Sequence, residues 1–242
     1  MNPDCALVAG ASGGIGRALC EQLSRCFPSA RIVRLVRDPS RLSPLPVETI
    51  DVGFDIGEED SIRDAVARIP KTMPVDWVFV ATGWLHDGDR GPEKTYKSLD
   101  ADHLMHAYLI NAIGPALLVK HLIPRLNPAN VCKLGVLSAR VGSISDNRLG
   151  GWHSYRASKA ALNMLIRNFA IELARKKSRH VIVGLQPGTT DTALSAPYQR
   201  NVPTGQLQSP EYTAEHLLEV MQKLRTEDSG SLFDFEGVPF AP

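Results

Sequence analysis

Short apolar runs and helical patterns alternate along most of the chain. Runs rich in β-branched and aromatic residues predict buried strands, whereas apolar residues recurring three and four positions apart predict helices. The predicted strands are 5–9, 31–36, 48–53, 75–81, 131–137, 181–185 and 232–235. The predicted helices are 14–25, 58–69, 101–123, 155–177 and 210–224.

This alternation decides the fold class. Consecutive parallel strands need a crossover between them, and the crossover is usually a helix. No shift of composition marks a domain boundary, so we expect one domain over residues 1–242. The sequence predicts an α/β, doubly wound Rossmann fold with a parallel sheet of about seven strands and helices on both faces. Residues 187–209 have no clear periodicity, and we expect them to form a mobile substrate loop.

Composition narrows the class of protein. Hydrophobic residues are 43% of the chain, enough for a sizeable core, and charged residues are 22%. The formal net charge of +1 argues against a dedicated nucleic-acid-binding protein, which usually has a basic excess. The longest apolar stretch, 107–119, is interrupted by Asn111, Gly114 and Pro115, so we expect no membrane span.

The cysteines indicate a reducing environment. Cys5, Cys20, Cys26 and Cys132 form no CxxC pair and have no metal-ligand spacing with histidine. A predicted apolar strand begins at residue 5, and we expect no secretory leader. We therefore expect a cytoplasmic protein without a metal site.

A glycine-rich turn joins the first predicted strand to the first predicted helix. Its sequence, GASGGIG at 10–16, has glycines at 10, 14 and 16 around Ser12 and Ile15. Gly10 lets the chain turn sharply, Gly14 leaves room for a pyrophosphate, and Gly16 lets the helix lie close to the sheet. The free N–H groups of the helix would face the anion. A glycine-rich turn that binds no ligand is the alternative.

Tyr155 and Lys159 are four positions apart in a predicted helix and therefore share one face. The pKa of an ordinary phenol is ~10, and a neighbouring ammonium stabilises the phenolate and lowers that pKa. Tyr155 would then exchange a proton with a substrate oxygen near neutral pH. The alternative is an exposed helical pair without chemistry, which the spacing alone does not exclude.

Taken together, the two motifs resemble those of one family. GASGGIG at 10–16 with YRASK at 155–159 resembles the short-chain dehydrogenases/reductases, and the resemblance covers essentially the full chain. The stretch GSISDNRLGGWHSYRASKAALN at 142–163 is similar to the C-factor-like and sniffer-like carbonyl reductases of that family. Further matches are Asp55-Ile56, Ala81-Thr82-Gly83, Asn111 and Pro187-Gly188 with 189–192.

The resemblance implies an oxidoreductase that transfers a hydride between NADP(H) and a small-molecule carbonyl or alcohol substrate. It implies that Tyr155 donates the proton, that Lys159 lowers the pKa of Tyr155 and holds the nicotinamide ribose, and that Asn111 supports a water chain to Lys159. The implied cofactor contacts are Gly10, Ser12, Gly14, Ile15, Gly16, Arg37, Asp55, Ile56, Ala81, Thr82, Gly83, Asn111, Tyr155, Lys159, Pro187, Gly188, Thr190 and Thr192. The implied assembly is a homodimer or homotetramer.

Two other functions use the same kind of scaffold. One is a nucleotide-binding signalling protein of the C-factor type with little or no turnover. The other is an isomerase or a dehydratase.

The chain departs from the family pattern in two places. The family usually ends this strand with two serines, of which the second polarises the substrate oxygen, but alignment through Gly142 puts Ala139 at that position. Ser138 is one residue early and would point to the opposite face of the strand. Ser138 is nevertheless the candidate catalytic serine, with Ser143 the alternate. Ala81 is the second departure, because the family has asparagine there.

The end of the second predicted strand bears on the choice of cofactor. Arg37 at the strand tip is expected to bind a 2′-phosphate, and Arg17 follows the glycine turn. The alternative is that Asp38 binds the ribose hydroxyls, as in NAD enzymes. The sequence favours NADP, with NAD possible.

Aromatic residues are expected around the substrate. Trp152 and His153 come just before Tyr155, and Tyr198 lies in the 187–209 loop. Trp84 and His86 follow the fourth predicted strand, on the side of an open α/β sheet where ligands bind. An ordinary surface loop is the alternative for the last two.

Overall fold

The computed structural model describes residues 2–88 and 90–242, and of Asn201 the backbone alone. In chain order the strands are β1 (Cys5–Ala9), β2 (Arg31–Val36), β3 (Thr49–Gly53), β4 (Trp77–Val80), β5 (Lys133–Leu137), β6 (Val181–Gln186), β7 (Thr189–Thr190), β8 (Leu207–Gln208), β9 (Leu232–Asp234) and β10 (Pro239–Phe240). The α-helices are α1 (Gly14–Cys26), α2 (Glu59–Ala67), α3 (Ala101–Tyr108), α4 (Gly114–Leu122), α5 (His153–Arg175) and α6 (Pro210–Lys223).

The main sheet has eight strands in the order β10-β9-β6-β5-β4-β1-β2-β3. All neighbours are parallel except β10, which pairs antiparallel with β9. Along the chain, β2 and β3 are added on one side of β1. The strands β4, β5, β6, β9 and β10 are added on its other side. The carboxyl ends of β1 and β4 therefore flank the point where the order reverses, which is where ligands bind in such sheets.

Alternate side chains of each strand enter two separate cores. On β1, Ala6 and Val8 pack beneath α1 and α6. Cys5, Leu7 and Ala9 face the other core, which α2, α4 and α5 cover. Parallel strands with both faces covered are nearly continuously apolar, which explains the uninterrupted apolar runs of the sequence. The predicted fold class is confirmed.

The long predicted helix 101–123 is interrupted by a wider turn. Residues Leu109–Ile113 form a π-helical segment between α3 and α4. Pro115 has no N–H and cannot donate to the carbonyl of Asn111, so the regular ladder is broken there. By length and composition, Ala101–Arg125 would be able to cross a membrane, with mean hydropathy 1.3. Core helices of soluble proteins pass the same test, so the expected absence of a membrane span stays a prediction. In this structure the stretch packs against α2 and α5.

Two expectations about the periphery were wrong in part. Residues 187–209 are not simply a loop, because β7 and β8 pair in parallel there and Ala196–Asn201 is a 3-10 helix. These elements are too short to have a detectable period. The two-residue strand β10 also adds an eighth member to the sheet, where we expected about seven.

Gly114 allows α4 to approach the loop after β3. A Cβ there would overlap the carbonyl oxygen of Ile56 and lie 2.7 Å from its Cγ1. We expect Gly114→Ala to destabilise the fold by about 1–3 kcal/mol despite the better helix propensity of alanine. Urea unfolding measures this change. A Cβ at Gly53 has ordinary contacts at 3.7 Å, so Gly53→Ala is the matched control. Equal stability of the two variants would contradict the packing account.

Candidate active site

The glycine-rich turn forms a cradle at the carboxyl end of β1. Gly10 has φ +84°, and a Cβ there would lie 2.9 Å from the Ala81 carbonyl oxygen after β4. A Cβ at Gly16 would overlap the Gly10 carbonyl oxygen, so α1 lies as close to the turn as backbone allows. No described side chain caps the first turn of α1, which begins after Gly13. Its free N–H groups are the kind of donors that bind phosphate.

A cleft of about 430 Å³ opens beside this cradle. Side chains and backbone from the turns after β1, β2, β3 and β4 form its walls. Among its lining residues are Gly10, Ser12, Arg37, Asp55, Ile56, Ala81, Thr82 and Gly83. Within the described residues, Oγ1 of Thr82 is buried without a hydrogen-bond partner. An unpaired buried hydroxyl is costly, so a polar ligand in this cleft would satisfy it.

The stretch after β6 reaches the same region. Gly188 has φ +73°, and a Cβ at Gly14 would lie 2.6 Å from Cγ2 of Thr192. The Pro187-Gly188 segment therefore leads the chain directly to the glycine-rich turn. Thr190 is different, because its hydroxyl is buried and 2.9 Å from Oγ1 of Thr213 on α6. In this structure Thr190 therefore fixes the segment after β6 to α6, and it does not line the cleft.

Tyr155 and Lys159 are brought together on α5. Nζ of Lys159 lies 5.9 Å from the centre of the Tyr155 ring and donates a hydrogen bond of 2.9 Å to the carbonyl oxygen of Leu137, the last residue of β5. Burial raises the pKa of Tyr155 to about 12. Burial also lowers the pKa of Lys159 to about 8. The expected lowering of the Tyr155 pKa is absent here, because burial of the phenol disfavours the charged phenolate.

Asn111 lies in the π-helical segment and is completely buried. Its side chain accepts a hydrogen bond from the Trp84 N–H and donates to the Trp84 carbonyl, both at 2.8 Å. It also donates to Oγ of Ser158, which in turn donates to the carbonyl of Tyr155. Asn111 thus joins the loop after β4 to the first turns of α5. Ser158 was missed by the sequence analysis, although it lies inside YRASK.

The two serines considered at the end of β5 are engaged elsewhere. Oγ of Ser138, which is 3% exposed, donates to Oδ1 of Asn163 at 2.6 Å. Oγ of Ser143 accepts from the N–H of Asp146. Within the described residues neither hydroxyl is hydrogen-bonded to Tyr155. The alternation of side chains along an extended strand explains why Ser138 faces α5 two turns beyond the phenol.

Aromatic rings cover Tyr155. The Trp152 ring is edge-on to it at 6.2 Å, and the Tyr198 ring lies 5.1 Å from Trp152. His86 lies 5.8 Å from Tyr198, and its Nε2 is buried with no hydrogen-bond partner in the described part of the chain. The 3-10 helix that carries Tyr198 therefore packs against the aromatic residues next to Tyr155.

A buried acid near Tyr155 was also missed. Glu93 is 5% exposed and contacts Ser154, the residue before Tyr155. The two residues are 61 positions apart, so no local spacing could have shown the pairing. His103 on α3 is also buried beside this carboxylate, with 4.0 Å between Nε2 and Oε1.

A doubly wound sheet with a polar cleft at its switch point defines the chain as a dinucleotide-binding type of α/β protein. A family model described as short chain dehydrogenase matches residues 4–203. The chain therefore belongs to the short-chain dehydrogenase family and is an oxidoreductase of that family, as the two motifs predicted.

Two curated relatives are similar in sequence. One is the 1-hydroxy-2-glutathionyl-2-methyl-3-butene dehydrogenase of Rhodococcus sp. (strain AD45), 31% identical over 96% of both chains. The other is the C-signal protein of Myxococcus xanthus, 31% identical over 69% of this chain and 92% of its own length.

Solved structures support the fold. The NADPH-bound carbonyl reductase from chicken fatty liver has a TM-score of 0.85 with 22% identity over 100% of both chains. The carbonyl reductase Sniffer of D. melanogaster has a TM-score of 0.81 with 18% identity over 99% of both chains.

The buried ammonium of Lys159 makes stability depend on pH. The pKa of Lys159 is about 8 in the folded chain and ordinarily 10.5, so between these two pH values the unfolded chain binds more protons and stability rises with pH. We expect the wild type to gain about 1–3 kcal/mol relative to Lys159→Met between pH 7.5 and pH 9.5. Urea unfolding at both pH values measures this difference. A constant difference would show that the ammonium is not desolvated.

Proposed function

We propose that this oxidoreductase reduces a carbonyl substrate with NADPH and that Tyr155 donates the proton to the substrate oxygen. The observation that carries the proposal is the placement of the Tyr155–Lys159 pair at the carboxyl end of β5, under aromatic rings and on the same sheet edge as the polar cleft. A dinucleotide in that cleft would satisfy Thr82 and meet the N–H groups of α1. When bound, the nicotinamide supplies the hydride.

The protonation states favour reduction. With its pKa raised to about 12, Tyr155 is fully protonated at neutral pH. An alkoxide is a stronger base than a phenolate, so proton transfer from the phenol to a developing alkoxide is downhill. Lys159 has a lowered pKa of about 8 and can return a proton to the phenolate after each turnover.

The remaining site residues have supporting roles in this proposal. Lys159 would hold the ribose of the nucleotide, and the buried Asn111 would support a water chain to Lys159. Ser138 would reach the substrate oxygen only by leaving Asn163, so the proposal assigns the proton transfer to Tyr155 without it. The unpaired Nε2 of His86 is a further polar group on the substrate side.

The surroundings of Arg37 support NADPH over NADH. Arg37 is exposed at the end of β2 and lines the cleft. The carboxylate of Asp38 accepts hydrogen bonds from the N–H and hydroxyl of Ser40, and the hydroxyl and N–H together lower the pKa of Asp38. Asp38 is therefore occupied locally, whereas the Arg37 guanidinium is available for a 2′-phosphate.

A signalling role with little turnover is the second candidate function. Ala139 removes the hydroxyl expected to polarise the substrate oxygen, and loss of one such donor costs about 10²–10³ in rate. The 31% identity with the C-signal protein supports the same alternative.

Replacement of the phenol tests the proposed acid. We expect Tyr155→Phe to lower NADPH oxidation with a panel of aromatic and aliphatic ketones by at least about 10²-fold, because general acid catalysis is lost. NADPH binding, followed by the fluorescence of the reduced nicotinamide, should stay within about twofold. Tyr108→Phe, on α3, is the matched control. Unchanged turnover in Tyr155→Phe would remove Tyr155 from the mechanism.

Replacement of Arg37 tests the cofactor preference. We expect Arg37→Ala to raise KM for NADPH by about 10-fold to 100-fold and to leave KM for NADH nearly unchanged, because the charge pairs only with the 2′-phosphate. Arg63→Ala, an exposed arginine on α2, is the control. An equal effect on both cofactors would contradict a specific phosphate contact.

A further inference from the structure

The helix that carries Tyr155 begins in an unusual way. Gly150, Gly151 and Trp152 all have positive φ, and at Trp152 the value of +51° is one that non-glycine residues seldom adopt. Trp152 occupies the N-cap position of α5 but offers no side-chain acceptor to the first turn. The first N–H groups of any helix need acceptors from outside the helix. Those of α5 therefore need acceptors other than the Trp152 side chain.

Glu93 supplies these acceptors. Its backbone carbonyl accepts the N–H of Trp152, and its Oε2 accepts the N–H of Ser154 at 3.1 Å. Its Oε1 accepts the hydroxyl of Ser154. One residue from the loop after β4 thus takes three hydrogen bonds from the start of α5. A carboxylate at this position is also stabilised by the positive end of the helix dipole.

The carboxylate is ionised in spite of its burial. Burial opposes the charge, but the hydrogen bonds from Ser154 and the nearby His103 outweigh it, and the pKa of Glu93 is lowered from its ordinary value. A negative charge that is 5% exposed is kept only where several donors converge on it. The contact between Glu93 and Ser154 is therefore an integral part of the fold.

We propose that Glu93 is a positioning residue for Tyr155: its carboxylate caps the first turn of α5 from the loop after β4 and holds the phenol in register with the substrate pocket. Ser154, which makes two of the three bonds, is adjacent to Tyr155. This inference rests on the proposed role of Tyr155 as proton donor.

The cap also links Tyr155 to the substrate side of the site. His103, beside the carboxylate, lies with its ring 4.7 Å from Trp84. The backbone of Trp84 is held in turn by the amide oxygen and the amide nitrogen of the Asn111 side chain. The loop that holds Glu93 and the helix that holds Tyr155 are therefore bound to each other at two points, through Asn111 and through Glu93. Displacement of a reacting group by about 1 Å can cost about 10²-fold in rate.

Graded variants separate positioning from general stability. Glu93→Ala removes both hydrogen bonds to the carboxylate, and Glu93→Gln keeps an acceptor without the charge. Ser154→Ala removes the hydroxyl bond to the carboxylate and keeps the bond from the N–H of residue 154. We expect kcat to fall in the order wild type, Ser154→Ala, Glu93→Gln, Glu93→Ala, with a loss of about 10-fold to 100-fold at the end. The Kd for NADPH should stay within about twofold, because Glu93 does not line the cleft and Lys159 stays bonded to Leu137. Glu172→Gln, at an exposed site on the same helix, is the matched control.

Amide hydrogen exchange of residues 152–158 gives a readout that needs no turnover. Among the described residues the N–H of Ser154 is bonded only to Glu93, so its exchange should accelerate by at least about 10-fold in Glu93→Ala and stay unchanged in Glu172→Gln. Absorbance titration of Tyr155, with Tyr155→Phe as the blank, should show its ionisation moving below the pKa of about 12 as the first turn loosens.

Each outcome decides the proposal. Faster exchange at Ser154 together with lower kcat at unchanged Kd supports it. Faster exchange with unchanged kcat and unchanged Tyr155 titration overturns the positioning role, and unchanged exchange overturns the cap itself. Should Glu93→Ala fail to fold, Glu93→Gln and Ser154→Ala carry the same comparison. A wild type without any reductase turnover would refute the proposed function, while the exchange and titration results would still decide for or against Glu93.

Discussion

The site depends on one buried hydrogen bond, from the ammonium of Lys159 to the carbonyl of Leu137 at the end of β5. A desolvated cation is expensive, and a strand end offers a free carbonyl to offset that cost. The bond fixes the rotation of α5 relative to the sheet. Because Tyr155 is one turn earlier on the same face, that rotation also decides where the phenol lies. Both pKa shifts of the pair follow from the same burial.

The rest of the site is arranged around this fixed helix. The carboxyl ends of β1 and β4 provide a cleft at the switch point, and glycines at 10 and 16 let backbone approach backbone there. Asn111 and Glu93 bind the loop after β4 to the beginning of α5. The aromatic rings of Trp152 and Tyr198 then close the opposite side. These aromatic rings would help to keep water away from a hydride transfer in the site.

The sequence was a good guide wherever local patterns carry the information. Runs such as 131–137 were recognisable as strands because both faces of a parallel sheet are apolar. The glycine turn and the Tyr155–Lys159 spacing pointed to two parts of the candidate site because each has a short-range geometric requirement. Ser138 was ambiguous because a shift of one residue on a strand reverses the face, and the structure directs it to Asn163.

Features that depend on long-range contacts could not be predicted from the sequence. Glu93 meets Ser154 only after the sheet has folded, and nothing near Glu93 in the chain indicates it. The pKa of Tyr155 was expected to fall, but its direction depends on how deeply the ring is buried, which spacing does not report. The short strands β7 and β8 have too few residues to show a period.

The most direct test of the central claim is to follow the hydride itself. NADPH carrying two deuterium atoms at the reactive carbon of the nicotinamide is incubated with the protein and a ketone, and the alcohol is analysed by mass spectrometry. The account expects one deuterium on the carbinol carbon of the product and ordinary hydrogen on its oxygen after exchange with water. Alcohol without deuterium, or no alcohol from any ketone while the labelled cofactor binds, would contradict it.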